Sequence, residues 1–362
     1  MRTLRILFLA LLLPILGGCE MVVLRPAGDV AVQQGQLIVY ATVLMLIVIV
    51  PVMALTVFFA MHYRESNQNA SYAPDWDHSI SLEIVVWSVP LAIIICLAGL
   101  TWVATHRLEP YNDLRRISEV QEIDRNVTPM QIQVVALDWK WLFIYPEYGV
   151  ASINEVAGIV DRPIEFTLTS ETVMNSFYIP ALAGQIYAMA GMQTELNAVI
   201  NEPGDYEGFS ANYSGNGFSQ MRFRFHGLSQ TDFDAWISKV GADTRQLDRL
   251  AYIDLAIPTV GHEVEHYGAV ESDLWDRIVN RCVDRGTLCA DDMMMVDALG
   301  GGGLAGLTDR WRFADLCTVD DPRALYYLLR PELAPANTTI AASPASPVTP
   351  ASSALFDDEA GD

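Results

Sequence analysis

The sequence is short of positive charge. Its 362 residues include 22 Lys and Arg against 44 Asp and Glu, which gives a formal net charge of −22. This balance argues against a nucleic-acid partner, whose phosphates would be repelled, but it is compatible with a solvent-exposed domain or a basic docking partner. Cysteine is also scarce, with five residues in the whole chain. What the sequence has in excess is apolar residues, 51% of the total, and this share indicates a membrane component.

The amino terminus has the pattern of an export signal. Arg2 and Arg5 precede an apolar run over residues 6–16 that is too short to span a membrane. The run ends in "LGGC", which resembles a bacterial lipoprotein signal, so residues 1–18 are predicted to be removed and Cys19 to carry a lipid. The alternative is an ordinary signal peptide that happens to contain a cysteine.

Two further apolar runs are long enough to cross a bilayer as helices. Residues 37–61 and 84–105 contain no charged side chain, and roughly 20 residues suffice for one crossing. Residues 37–106 are therefore predicted to form a two-helix transmembrane hairpin.

The predicted lipid anchor sets the expected topology. Basic residues are too few in the connection between the spans to decide the orientation. If Cys19 is held on the outer face, residues 19–36 form a periplasmic N-terminal segment. Two crossings then return the chain to the same side, and everything after about residue 107 is periplasmic.

Residues 107–228 are predicted to form an exported β-domain. From about residue 130 the sequence changes to short runs with alternating or β-branched character, such as "MQIQVVAL" and "MRFRFHG", separated by Gly, Pro and Asn turns. Several such strands at short spacing predict a sandwich or a barrel.

The remainder of the chain divides into two segments. Amphipathic periodicity predicts helices within residues 229–286, whereas residues 287–362 are rich in Gly, Pro, Ala, Ser and Thr and are expected to form a flexible, largely disordered extension. Cys282, Cys289 and Cys317 would face an oxidising compartment where a disulfide can form. The pairing among them stays open.

Five sequence motifs resemble subunit II of the haem–copper oxidases, specifically the quinol-oxidising, bo-type ubiquinol oxidase branch. The resemblance covers roughly residues 30–285 and implies a bacterial inner-membrane protein with a cupredoxin-like Greek-key β-sandwich. The motifs are "EIVVWSVP" (83–90), "LTWVATHRLEP" (100–110), "LDWKWLFIYPEYG" (137–149), "VMNSFYIP" (173–180) and "GQIYAMAGMQTELN" (184–197).

The resemblance also implies a metal loop that has lost its ligands. In the branch that oxidises cytochrome c, a His before "SF" and a loop of the pattern C-x-E-x-C-x-x-x-H-x-x-M hold two copper ions. Only the methionine of that pattern is retained here, so the resemblance implies no metal in this chain. The matching positions are Asn175, Ser210, Asn212, Ser214, Phe218 and Met221.

The roles that the resemblance implies are therefore structural. Haems, copper and ubiquinol oxidation are expected on subunit I, and subunits I, III and IV and membrane lipid are the expected partners, without cytochrome c. The chain would be a non-catalytic subunit that supports assembly and stability. Glu83, at the start of the second span, matches a family position at the mouth of a proton path.

Two other interpretations compete with this one. A cytochrome c oxidase subunit II would hold a two-copper centre, and the missing ligands count against it. A membrane-anchored zinc protease would use "HEVEH", residues 262–266, with Glu263 as base, but the surrounding sequence lacks helical periodicity and favours a solvated polar segment. Trp139 and Trp141 are predicted to pack in the core rather than to relay electrons. The haem types, the preferred quinone and the role of the extension are open.

Overall fold

The part of the chain that can be described begins at residue 22. The computed structural model describes residues 22–298 except for residues 69, 72–74, 113, 125–126, 285–286 and 288. The predicted signal peptide, Cys19, Cys317 and most of the predicted extension lie outside the described residues. The chain divides after Asp284 into two compact units.

Two long helices come first in the described chain, followed by a run of strands and then by shorter helices and strands. Short 3-10 turns occur at Val22–Leu24 and Phe218–Gln220. The described helices are α1 (Asp29–His62), α2 (Ile80–Arg107), α3 (Gln230–Gly241), α4 (Arg249–Ala256), α5 (Leu274–Val279) and, in the second unit, α6 (Ala290–Ala298). The described strands are β1 (Arg116–Ser118), β2 (Gln121–Glu122), β3 (Met130–Leu137), β4 (Lys140–Tyr145), β5 (Val150–Ile153), β6 (Glu155–Ile159), β7 (Ile164–Ser170), β8 (Asn175–Tyr178), β9 (Ile186–Ala188), β10 (Thr194–Ala198), β11 (Gly204–Ser210), β12 (Arg222–Leu228), β13 (Gln246–Leu247), β14 (Glu265–Tyr267) and β15 (Ala269–Val270).

The two long helices, α1 and α2, are suited to a bilayer. Both are long and apolar enough to cross a membrane, and none of the side chains in their most apolar windows is buried within the chain. A core helix of a soluble protein would bury such side chains. The two predicted crossings are confirmed as apolar helices, and the protein is a membrane protein.

Helix α1 begins earlier than the sequence pattern predicts. Its 34 residues correspond to about 51 Å of helix, well beyond the roughly 30 Å hydrocarbon core. The first turn packs on the β-domain, where Val30 and Ala31 are buried and the Asp29 carboxylate lies 2.8 Å from Arg116 Nε. The predicted segment 19–36 is therefore partly the docked first turns of this helix.

Two facing sheets form the β-domain. The six-stranded sheet has the order β10-β7-β3-β4-β5-β14 and the five-stranded sheet has the order β6-β12-β11-β8-β9. Pairing is antiparallel except for β3 with β7 and β12 with β6 in these sheets. The main hydrophobic core lies between them and includes Trp141, Phe177 and Phe225. The predicted fold class, a membrane hairpin followed by a cupredoxin-like Greek-key sandwich, is confirmed.

The segment after the sandwich covers the outer face of the six-stranded sheet. A second core cluster joins side chains of β3, β4 and β5 to Tyr252, Leu274 and Ile278. Every residue of β4 is consequently buried, which explains why "WLFIY" reads as a continuous apolar run rather than an alternating one. The segment 229–286 contains the predicted helices, but it also contains β13, β14 and β15, which the sequence pattern did not indicate.

Cysteines differ by location. Cys282 and Cys289 are both disulfide-bonded, so the prediction of a disulfide in this region is confirmed. Among the described residues, Cys96 within α2 is a free thiol.

Candidate metal centre

The predicted metal loop joins β11 to β12 and lies beside β8. The backbone N–H of Ser210 donates to the carbonyl oxygen of Met221 at 3.2 Å, which closes the base of the loop, and Ala211 N–H donates to Ser176 O at 2.8 Å. These two bonds bring the start of β8, where Asn175 lies, against both ends of the loop. The positions predicted from the sequence therefore converge in space.

Two of these positions satisfy each other by hydrogen bonding. Ser210 Oγ lies 3.1 Å from Asn175 Oδ1 and 3.2 Å from Asn212 O, and Asn175 Nδ2 donates to Val173 O at 3.1 Å. Asn175 and Ser210 are only 1% and 2% exposed. Because buried polar groups are costly unless they are paired, this network stabilises the loop in the place where ligands would stand.

The other matching positions are more loosely connected. Ser214 Oγ lies 4.0 Å from Met221 Sδ, and Met221 is fully buried. The Phe218 ring meets Tyr213 edge-on, with centroids 5.6 Å apart, and Tyr213 is exposed. Ser210 thus contacts Asn175 and Asn212, and Ser214 contacts Met221, whereas the ring of Phe218 packs on Tyr213.

The residues in this loop do not fit a copper centre. The side chains present are hydroxyls, amides, a phenyl ring and one thioether, whereas copper in such sites selects thiolate and imidazole. Within the described part of the chain, no group of three or more His, Cys, Asp or Glu side chains could hold a metal ion. The loop has the shape of a metal site without its donor set.

Trp139 packs against the loop between β11 and β12. It occupies the β3–β4 turn with a left-handed φ of +66°, which is rare for a bulky residue. Its Nε1 donates to Ser214 O at 3.0 Å, and its ring leaves room only for a glycine at position 217, where an added Cβ would lie 2.4 Å from the indole. Trp141 is fully buried with Phe177 and Phe223 edge-on to its ring. Both tryptophans have packing contacts.

The "HEVEH" segment is not a helix, so its two imidazoles do not share a helical face. His266 lies in β14, and its Nε2 is 2.7 Å from Glu155 Oε2. His262 Nε2 instead lies 3.5 Å from Glu265 Oε1, without hydrogen-bond alignment. The two histidines therefore face different carboxylates, and this geometry does not support zinc binding.

The prediction of a solvated polar segment holds for Glu263 and Val264, which are exposed, but not for the two histidines. The side chains of His262 and His266 are 18% and 15% exposed. Glu155 binds His266 through one oxygen and His226 Nε2 through the other, at 3.0 Å. No local pattern in the sequence indicates this cluster, because its members come from β6, β12 and β14.

The cluster predicts a bell-shaped dependence of stability on pH. The hydrogen bond from His226 lowers the pKa of Glu155 to about 2 from its ordinary 4.5, with His266 adding to the effect. The same bond raises the pKa of His226 above its ordinary 6.5. The contribution of Glu155 is complete above pH 4.5 and lost as pH falls towards 2; that of His226 is complete below pH 6.5 and lost as pH rises through its raised pKa.

The unfolding midpoint is therefore expected to be highest between pH 4.5 and 6.5. Glu155→Gln should flatten the profile and destabilise by roughly 1–2 kcal/mol near its maximum. Thermal unfolding of the full chain across pH checks this, with Glu263→Gln as control, because Glu263 is exposed in the same segment. Equal profiles for both variants would contradict the assignment.

One family model matches within the chain. It is described as the COX Aromatic Rich Motif and covers residues 242–286. This is the segment that covers the outer face of the six-stranded sheet, where Tyr252 and Tyr267 are buried. A membrane hairpin, a Greek-key sandwich with a metal-type loop and this covering segment together define subunit II of the haem–copper oxidases.

Curated relatives of this chain are subunits of ubiquinol oxidases. The cytochrome bo(3) ubiquinol oxidase subunit 2 of Pseudomonas putida is 47% identical over 274 residues, 76% of this chain and 84% of that protein. The ubiquinol oxidase subunit 2 of Acetobacter aceti is 48% identical over 265 residues, 73% of this chain and 84% of that protein. The chain belongs to the cytochrome bo(3) ubiquinol oxidase subunit 2 family.

Solved structures include a more distant relative. The periplasmic domain of subunit II of the cytochrome oxidase of Bradyrhizobium japonicum is 21% identical and covers 30% of this chain and 91% of that domain, with a TM-score of 0.29.

Proposed function

We propose that this chain is subunit II of a terminal respiratory ubiquinol oxidase and has no electron-transfer copper of its own. The observation that carries the proposal is the donor set of the loop. Asn175 and Ser210 are paired with each other at 3.1 Å, and neither side chain is a thiolate or an imidazole. An oxidase that receives electrons from a soluble cytochrome needs an electron-accepting copper centre outside the membrane. An oxidase that oxidises quinol receives its electrons within the bilayer.

The role left to the chain is structural. Haems, copper and the quinol site belong to subunit I in this proposal, and the β-domain covers and stabilises the complex together with subunits III and IV. The chain itself is then a non-catalytic subunit of a proton-translocating oxidoreductase complex. Metal analysis of the purified chain tests the proposal against both rivals, because it distinguishes two coppers, one zinc and no metal.

We also propose an inner-membrane topology with both the amino terminus and the β-domain in the periplasm. The described chain starts beside the membrane-proximal part of α1, since an added Cβ at Gly35 would lie 2.9 Å from Val23 O. Gly35 lies two residues before Leu37, where the charge-free run starts. Cys19 precedes Val22, the first described residue, by three positions, which span at most about 11 Å. A lipid on Cys19 is therefore compatible with a bilayer surface near Gly35.

The mature chain is accordingly expected to begin at Cys19 with acyl chains attached. Intact-mass measurement of the chain extracted from membranes checks this. Cys19→Ser should block the modification but leave the protein in the membrane fraction, because the two apolar helices anchor it independently. An unmodified or uncleaved Cys19 in the parent chain would contradict both the lipid assignment and the topology.

A contribution to proton entry is proposed for Glu83. It lies in the first turn of α2, and its Oε1 is 2.9 Å from His78 Nδ1, with both side chains 56% exposed. In the proposed topology this exposed carboxylate lies at the cytoplasmic edge of a charge-free span, which is where a proton path into a neighbouring subunit would open.

A further inference from the structure

A cavity of about 320 Å³ lies at the junction of the membrane helices and the β-domain. Its walls are the first turns of α1, the end of α2 with the residues that follow it, and the chain leading into β1. One wall is closely fitted, since the amide of Gln34 occupies the space beside Gly184, with Nε2 2.6 Å from where a Cβ would stand. The cavity is therefore a built feature of the junction between the two parts of the unit.

Arginine is concentrated in the described lining of the cavity. Its described charged residues are Arg107, Arg115 and Arg116 together with Asp29 and Glu109, so arginines outnumber acids among them, whereas acids outnumber bases 44 to 22 in the whole chain. A local excess of positive charge against this background favours an anionic ligand.

Two of the arginines are available to a ligand. Arg116 is committed to Asp29, with Nε 2.8 Å from Oδ2. Within the described part of the chain, no ion pair or side-chain hydrogen bond involves Arg107 or Arg115, and both are exposed. These two guanidinium groups are the ones that can bind an anion.

The cavity lies at the level of the lipid headgroups. Trp102 of α2 is 70% exposed and its ring contacts His106, with centroids 4.4 Å apart. Exposed tryptophans on spanning helices lie at the membrane–water interface. Arg107 follows Trp102 by five residues, about 7.5 Å along the helix axis. That distance places its guanidinium in the layer that phospholipid phosphates occupy.

We propose that this cavity binds the phosphodiester group of a membrane phospholipid, with Arg107 and Arg115 as its ligands. A phosphodiester carries one negative charge, opposite in sign to the guanidinium groups of Arg107 and Arg115. Its oxygens accept paired hydrogen bonds from guanidinium groups. The acyl chains would then run along the exposed apolar surfaces of α1 and α2, which a free phosphate could not use. The bound lipid would stabilise the position of the β-domain relative to the membrane.

Native mass spectrometry of the full chain in detergent, titrated with dioleoylphosphatidylglycerol, tests the proposal. The parent chain is expected to retain one lipid tightly. Arg107→Gln with Arg115→Gln should weaken its retention roughly tenfold or more, since two charge-assisted contacts are lost. Arg64→Gln is the matched control, because Arg64 is an exposed arginine just beyond the opposite end of α1, and it should leave retention unchanged.

Two further measurements distinguish a lipid phosphate from a free anion, and a loss of binding from a loss of folding. Inorganic phosphate at the same concentration should not displace the lipid; displacement would show a free-anion site and overturn the proposal. Retention equal in the double variant and the parent, or equally reduced by Arg64→Gln, would also overturn it. If the double variant fails to fold, each single arginine variant should show a smaller loss of retention, and no loss in either would count against the proposal.

Discussion

Five substitutions that restore ligands to the metal loop are expected to make the chain bind copper. Thiolates and imidazoles at these positions recreate the donor set that copper selects, and Met221 already supplies the thioether. The expected result is stoichiometric copper with intense thiolate-to-copper absorption. The substitutions are Asn175→His, Ser210→Cys, Asn212→Glu, Ser214→Cys and Phe218→His.

The structure favours this outcome because the backbone of the loop is retained. Ser210 and Met221 are joined at the base of the loop by a 3.2 Å backbone hydrogen bond, and Ser210 Oγ already lies 3.1 Å from the side chain of Asn175. Phe218 is the least prepared position, since its ring packs on Tyr213. Affinity is therefore expected below that of a natural centre, because groups that orient the ligands are also absent.

The matched control separates the thiolates from the other changes. It carries the same histidines and glutamate but has Ser210→Ala and Ser214→Ala, and it should show no thiolate-to-copper absorption. The comparison is made on the full chain by metal content and visible absorption. Absence of copper from the five-residue variant would contradict the position-by-position match of the loop to a copper site.

Glu83→Ala is expected to slow turnover of the assembled oxidase severalfold while the haem spectra stay normal. In the proposed role, the carboxyl group of Glu83 passes protons into the complex, and His78 Nδ1 lies 2.9 Å from its Oε1. Alanine removes that transfer. Glu83→Asp should be milder, because a carboxylate remains in the same turn of the helix. Oxygen consumption with ubiquinol as donor measures the effect.

Asp77→Ala is the control for this experiment. Asp77 is an exposed acid in the same connection between the two membrane helices, so a general effect of lost negative charge would appear in both variants. Full activity of Glu83→Ala would reduce Glu83 to a boundary residue. An equal loss in Asp77→Ala would assign the effect to surface charge.

Long sequence signals predicted the architecture well. The charge-free runs identified both membrane helices, because no soluble core explains two such lengths of apolar residues. The Gly- and Asn-rich stretch from Ser210 to Met221 indicated the loop between β11 and β12, because these residues tolerate tight turns. Positions such as Asn175 were placed by resemblance rather than by periodicity.

The features that the sequence did not indicate depend on contacts between distant segments. The sequence predicts Asp29 within the periplasmic segment 19–36, yet its ion pair with Arg116 fixes the first turn of α1 on the β-domain. The sequence predicts His266 within a solvated polar segment, yet Glu155, far earlier in the chain, lies 2.7 Å away. No local pattern reports such pairs, because their spacing is set by strand order rather than by the sequence.

Metal content of the native chain tests most directly the proposal that this chain has no electron-transfer copper. The full chain, purified from membranes without added metal and then dialysed with copper and zinc salts, is measured by mass spectrometry of its elements. We expect no stoichiometric copper or zinc, since Asn175 and Ser210 in the loop are hydrogen-bonded to each other. Two coppers per chain, or one zinc, would contradict the proposal.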